Sequence, residues 1–173
     1  MNSLLTLPNA LSVARGLLAA PLAWALATDC ARLGVPLFAL AVASDLLDGR
    51  LARARGTTSR LGTLLDHGAD ACLVTALTAT AAWHGLVPPL LPLLIASAFL
   101  QYVFDSRAHA GAPLKGSRLG RWNGIAYYVL AGAALGVRHL GSPSPAVMLL
   151  HLGGWLLALS TLVSMLTRLR KRR

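Results

Sequence analysis

The sequence predicts an all-α integral membrane protein, a single domain over residues 1–173 with six transmembrane helices and both termini on the cytoplasmic side. Three observations carry that expectation. The chain is 55% hydrophobic and 13% charged, with a mean hydropathy of +0.62, whereas soluble domains carry roughly a quarter charged residues. Six apolar segments recur along it, each near the ~20 residues that a helix needs to cross a bilayer. The basic residues collect on alternate connections between those segments.

The first segment, 10–28, follows Pro8-Asn9, which reads as a helix start with Asn9 as the N-cap. Arg15 lies within it, so its first turns are expected to lie partly in the membrane interface. The second, 33–50, and third, 61–83, are joined by a short connection rich in Arg, Gly, Thr and Ser. The fourth, 86–105, opens on Pro88-Pro89. The fifth, 123–140, and sixth, 146–167, are separated by Ser142-Pro143-Ser144-Pro145. No strand alternation, repeat or low-complexity tract competes with this reading.

The net charge of +10 invites a nucleic-acid reading, but its distribution excludes one. If all six segments cross, one side holds Arg50, Arg53, Arg55, Arg60, Arg107, Lys115, Arg118 and Arg121, together with the C-terminal Arg168, Arg170, Lys171, Arg172 and Arg173. With Arg15 these are all but two of the 16 basic residues. Arg32 and Arg138 take the other side. By the positive-inside rule the basic side is cytoplasmic, and the charge serves topology and phospholipid headgroups. Arginine outnumbers lysine 14 to two, which with abundant Ala, Leu and Gly hints at a GC-rich bacterial genome, and the expected location is a bacterial inner membrane with the site facing the cytoplasm. The N-terminus has no charged leader and no clear cleavage site, so no removable signal peptide is expected. Cys30 and Cys72 lie in or beside apolar runs and read as packed thiols.

The window 45–70 departs from this apolar background. All six acids of the chain are Asp, and Asp45, Asp48, Asp66 and Asp70 fall within it. Charge between membrane segments is costly, which marks a functional site. Asp45 and Asp48 are three apart and Asp66 and Asp70 four apart, so each pair shares a helical face. A helical hairpin would bring the two faces together. Four such carboxylates repel one another unless protons or cations neutralise them. Hard oxygen ligands without Cys or paired His suit Mg²⁺, Mn²⁺ or Ca²⁺, and two such ions can clamp a pyrophosphate. Gly49, Ala52 and Gly62 leave room for a flat ligand or a backbone, and Arg53 can pair with a phosphate.

The pattern Asp45-x-x-Asp48-Gly49-x-x-Ala52-Arg53, eight residues, then Gly62-x-x-x-Asp66-x-x-x-Asp70 resembles the motif of the CDP-alcohol phosphotransferase family. Pro8-Asn9 with Arg15 and Gly120-Arg121 extend the likeness more weakly. The resemblance implies a CDP-linked lipid, typically CDP-diacylglycerol, bound at the cytoplasmic interface. Its pyrophosphate would lie on two divalent cations, Mg²⁺ or Mn²⁺, held by Asp45, Asp48, Asp66 and Asp70. It further implies Asp70 as the general base on an acceptor hydroxyl, with CMP leaving. Gly49, Ala52 and Gly62 would line the cytidine pocket, Arg53 would lie near the phosphates, and the protein would be a homodimer.

The acceptor is expected in the region 101–121, where Arg107, Arg118 and Arg121 can bind a phosphate such as that of glycerol 3-phosphate or inositol phosphate. The chain has no Glu, and Ala71 follows Asp70, which departs from the glycerol-phosphate pattern. Asp105 can pair with Arg107 or orient an acceptor hydroxyl, and His67 reads first as an interfacial bystander, with contact to the site as the alternative. The competing reading is a cation transporter built on the Asp cluster. A transporter places ionisable groups near the midplane with a path through, whereas these acids gather at one end of their helices.

Overall fold

The computed structural model describes residues 7–54, 60–108 and 118–170, with side chains over 9–47, 62–105 and 118–170. Among the described residues it is all-α, as expected. The helices are α1 (Leu7–Leu17), α2 (Ala19–Ala27), α3 (Ala31–Ala54), α4 (Arg60–Trp83), α5 (Leu90–Ala108), α6 (Arg118–His139) and α7 (Ser144–Arg170). Helices α1 and α2 together form the first segment. Pro21 explains the break between them: it has no N–H to offer the Leu17 carbonyl and its ring crowds that position. Leu18 N–H instead reaches both Ala14 and Arg15 carbonyls at 3.1 Å. Because α1 already runs from Leu7, Asn9 lies in its first turn and is not the N-cap.

Helix α4 is the centre of the bundle and packs against α1, α2, α5 and α6. Leu73, Leu77 and Ala81 recur every four residues on it, the spacing of one helical stripe, and all three are fully buried. Leu22 and Leu26 of α2 and Leu91 of α5 complete this core.

Other faces reverse the usual pattern. On α1 the buried residues are Asn9, Ser12 and Arg15, while Val13 and Leu17 are exposed. On α7 Gly154, Ala158, Thr161 and Ser164 point inward, whereas Leu152, Trp155, Leu156 and Leu159 point outward. Large apolar side chains on the outside fit a lipid environment, and small or hydroxyl residues suit helix contacts within it. Interhelical polar bonds follow: Ser160 Oγ donates to Asn123 Oδ1 at 2.7 Å, and Gln101 Nε2 donates to the Met165 carbonyl at 3.2 Å. Asn9–Ala27 and Ser144–Arg170 are each long and apolar enough to cross a membrane. Cys72 is exposed and Cys30 half-buried, so neither is the packed thiol expected; Cys72 lies on the outward face of α4.

Close packing fixes several approaches. A Cβ on Gly132 would lie 2.7 Å from Phe38 Cε1, and one on Gly154 would fall onto Pro88 Cδ. Phe38 can pivot, but the Pro88 ring cannot. Gly154→Ala is therefore expected to lower the melting temperature in detergent, through an overpacking cost of about 1–3 kcal/mol, whereas Gly124→Ala, which meets nothing within 4 Å, is the clash-free control and should melt at or above the wild type, since Ala favours the helix over Gly.

Far from the acids of the 45–70 window, Arg138 forks onto Asp29, with Nε 2.6 Å from Oδ1 and Nη2 donating to Oδ2 at 2.7 Å. This pair ties the α2–α3 turn to the end of α6.

Candidate active site

Helices α3 and α4 bring Asp45, Asp66 and Asp70 together as their spacing predicts. One ligand oxygen from each lies within 4.8 Å of the others. The side chains of Asp48, Gly49, Ala52, Arg53 and Arg107 lie outside the described residues. Gly62 sits half-buried one turn before Asp66 on α4. A set of three carboxylates offers only hard oxygen donors, which fits Mg²⁺ or Mn²⁺.

The centre of the cluster is the guanidinium of Arg15, from α1. Its Nη1 donates to Asp45 Oδ1 at 2.7 Å, its Nη2 donates to Asp66 Oδ1, and its Nε lies 3.0 Å from Asp70 Oδ1. Ser12, one turn earlier, places its hydroxyl 3.4 Å from Asp66 Oδ1. The Arg15 side chain is 0% exposed, whereas the three Asp side chains are 30–37% exposed. The arginine closes the cluster from within the fold and the carboxylates open to the other side. Its charge, read from the sequence as a reason to hold α1 at the interface, is thus turned inward.

The carboxylates open toward a cavity of about 560 Å³ that Asp45 and Asp70 line together with residues of α5, α6 and α7. Tyr128 of α6 lies in its wall and donates its hydroxyl to Asp70 Oδ1 at 2.6 Å. His67, exposed, lines the same cavity and stacks on Tyr102 with ring centres 5.1 Å apart and planes 11° apart. Arg121 and Arg168 supply the cavity's cations, while Val74, Ile95 and Phe99 give it an apolar flank. Arg118, one turn before Arg121, is exposed and is not part of this wall.

Tyr128 and Arg168 are the site residues that sequence reasoning missed. Gly120, Gly124 and Tyr128 recur every four residues on one face of α6 and all line the cavity, a stripe the sequence does contain. Arg168 was legible only as topological charge, because nothing local distinguishes it from its C-terminal neighbours.

A family model described as CDP-alcohol phosphatidyltransferase matches residues 5–166. Among curated proteins, the chain is 32% identical over 88 residues to a probable cardiolipin synthase (CMP-forming) of Drosophila melanogaster, covering 50% of this chain and 27% of that protein. It is 33% identical over 151 residues to a cardiolipin synthase (CMP-forming) / mitochondrial hydrolase fusion protein of Schizosaccharomyces pombe, covering 76% of this chain and 25% of that one. The chain thus spans about a quarter of the length of either relative. No solved structure matches it.

Proposed function

The chain belongs to the CDP-alcohol phosphatidyltransferase family, and from that premise we propose that it moves a phosphatidyl group from CDP-diacylglycerol, or a similar CDP-lipid, to the hydroxyl of a phosphate-bearing alcohol, releasing CMP. The observation that carries this reading is the convergence of Asp45, Asp66 and Asp70 beside a cavity that also presents Arg121 and Arg168.

The proposed reaction is one displacement. The acceptor oxygen bonds to the lipid-side phosphorus, the bond from that phosphorus to the bridging oxygen breaks, and CMP leaves with the electron pair. Asp70 takes the hydroxyl proton. Tyr128 occupies Oδ1 of Asp70, which leaves the second oxygen for the acceptor. Asp45, Asp66 and Asp70, with Asp48 as the fourth, would hold two divalent cations. When bound, these would neutralise the pyrophosphate and the charge on the leaving group. Gly49, Ala52, Gly62 and Arg53 complete the proposed nucleotide side. We place the chain across the membrane in six spans, as a homodimer, with the site at the basic, cytoplasmic face of a bacterial inner membrane.

The acceptor phosphate is assigned to Arg121 and Arg168, which line the same cavity as Asp70, so that a phosphate held there would keep its alcohol within the chamber of the base. The region 101–121 thus supplies Arg121, while Arg168 comes from outside it. Because the cavity combines these cations with an apolar flank, and both relatives are named cardiolipin synthases, a lipid-borne phosphate such as that of phosphatidylglycerol is preferred over free glycerol 3-phosphate or inositol phosphate. CMP release measured with each acceptor in turn tests this. Phosphatidylglycerol should give the highest rate, and Arg168→Ala should raise the acceptor KM by about tenfold, the effect of losing one charge-assisted hydrogen bond of roughly 1.5 kcal/mol, with little change in the KM for the CDP-lipid. A uniform rise in both constants would remove Arg168 from the acceptor site.

A further inference from the structure

We propose that Arg15 is a resident counter-cation of the carboxylate cluster: it holds Asp45, Asp66 and Asp70 together in the metal-free protein and gives up their oxygens when a divalent cation binds. The inference rests on the metal reading above.

Three features lead to it. The guanidinium meets all three carboxylates, and on each it meets Oδ1, so the atoms it engages belong to the same carboxylates that form the donor set for a cation. It arrives from α1, while the carboxylates belong to α3 and α4, so the pairing joins three helices and supplies the one positive charge among these four groups, where Tyr128 and Ser12 bring only neutral hydroxyls. It is fully buried on one side of a cluster that is open on the other, so a cation entering from the cavity meets the carboxylates without first passing the arginine.

Carboxylates this close cannot all ionise in a low-dielectric site without a cation. One guanidinium against three carboxylates leaves two negative charges unmatched among these four groups, so attraction for a divalent ion survives the pairing. Arginine suits the task because its planar fork presents several donors at fixed angles, which a lysine cannot reproduce. Since both cations draw on the same carboxylates, each weakens the hold of the other, and the coupling is reciprocal. Arg15 is accordingly a positioning residue that touches no substrate. A purely structural arginine would stay in place through metal binding and would show no such competition.

The test uses the full chain in detergent, with Mn²⁺ as the probe, read by electron paramagnetic resonance and by thermal melting in EDTA and in Mn²⁺. Arg15→Gln is expected to bind Mn²⁺ about tenfold more tightly than the wild type, within the range usual for coupled sites. It should melt below the wild type in EDTA, with the gap narrowing in Mn²⁺. Arg15→Lys, which keeps the charge but loses the fork, should fall between the two, at about threefold tighter binding; it decides the matter if the glutamine variant does not fold. Unchanged or weaker Mn²⁺ binding in the variants, or a melting deficit equal with and without Mn²⁺, overturns the inference while leaving the metal site standing. No Mn²⁺ binding by wild type or variants removes the metal site and the inference together.

Discussion

Asp70→Asn is expected to lower CMP release by about 10²–10⁴-fold, the range over which a positioned general base contributes. The substitution is close to isosteric. The amide oxygen can still accept the Tyr128 hydroxyl now 2.6 Å from Oδ1, so α4 and α6 stay joined. What is lost is the ability to take a proton from the acceptor and one negative charge facing Arg15. Binding of a CDP-lipid should survive in large part, because Asp45 and Asp66 remain. Steady-state rates with a parallel nucleotide-binding measurement separate the two: the base assignment requires a collapse of kcat with binding retained, and a fully active variant would end it.

Asp66→Asn acts through a different term. Asp66 accepts from Arg15 Nη2 and faces the Ser12 hydroxyl, and in the proposed site it is a metal ligand without a proton-transfer role. Losing a partner behind a metal ligand costs about 10–100-fold in affinity or activity, so losing a ligand itself should cost at least that much. The loss should shrink as Mn²⁺ is raised, since weaker binding is offset by concentration. Asp70→Asn should recover far less under the same titration, because added metal cannot replace a base. An Asp66→Asn enzyme with the Mn²⁺ requirement of the wild type would show that Asp66 holds no metal.

The core of the site was legible because helical spacing is a local rule. Asp66 and Asp70 share a face at any tertiary arrangement of α4, and a short connection between α3 and α4 suffices to bring Asp45 beside them. Arg15 was not legible in the same way. A lone arginine in an apolar segment reads equally as a snorkelling side chain at the interface, and only the packing of α1 against α3 and α4 shows that its charge faces inward. The break at Leu18 did have a local cause in Pro21, which a proline rule could have found. Tyr128 lies among Leu, Val and Ala, where an aromatic residue reads as core filling. Its place in the candidate site comes from a hydroxyl that finds Asp70 across 58 residues of chain. Arg121 was reached by motif likeness, whereas its companion Arg168 comes from the far end of the sequence and needs the fold to place it.

The inside-out faces of α1 and α7 bear on the competing transporter reading. Asn9, Ser12, Arg15, Thr161 and Ser164 turn inward, whereas Leu17, Leu152, Leu156 and Leu159 turn outward, as either a transporter or an interfacial enzyme would require. The two readings part at the chemistry. A transporter moves a cation and consumes no nucleotide, whereas a transferase converts one CDP-lipid per turnover.

The most direct measurement is therefore the ratio of CMP released to new phospholipid formed when the purified chain, a divalent cation, CDP-diacylglycerol and an acceptor alcohol are combined in mixed micelles. A one-to-one ratio that disappears with EDTA and with Asp70→Asn is the predicted result. No CMP with any acceptor in the presence of Mg²⁺ or Mn²⁺, or CMP released without a matching phospholipid, would contradict phosphatidyl transfer as the activity of this site.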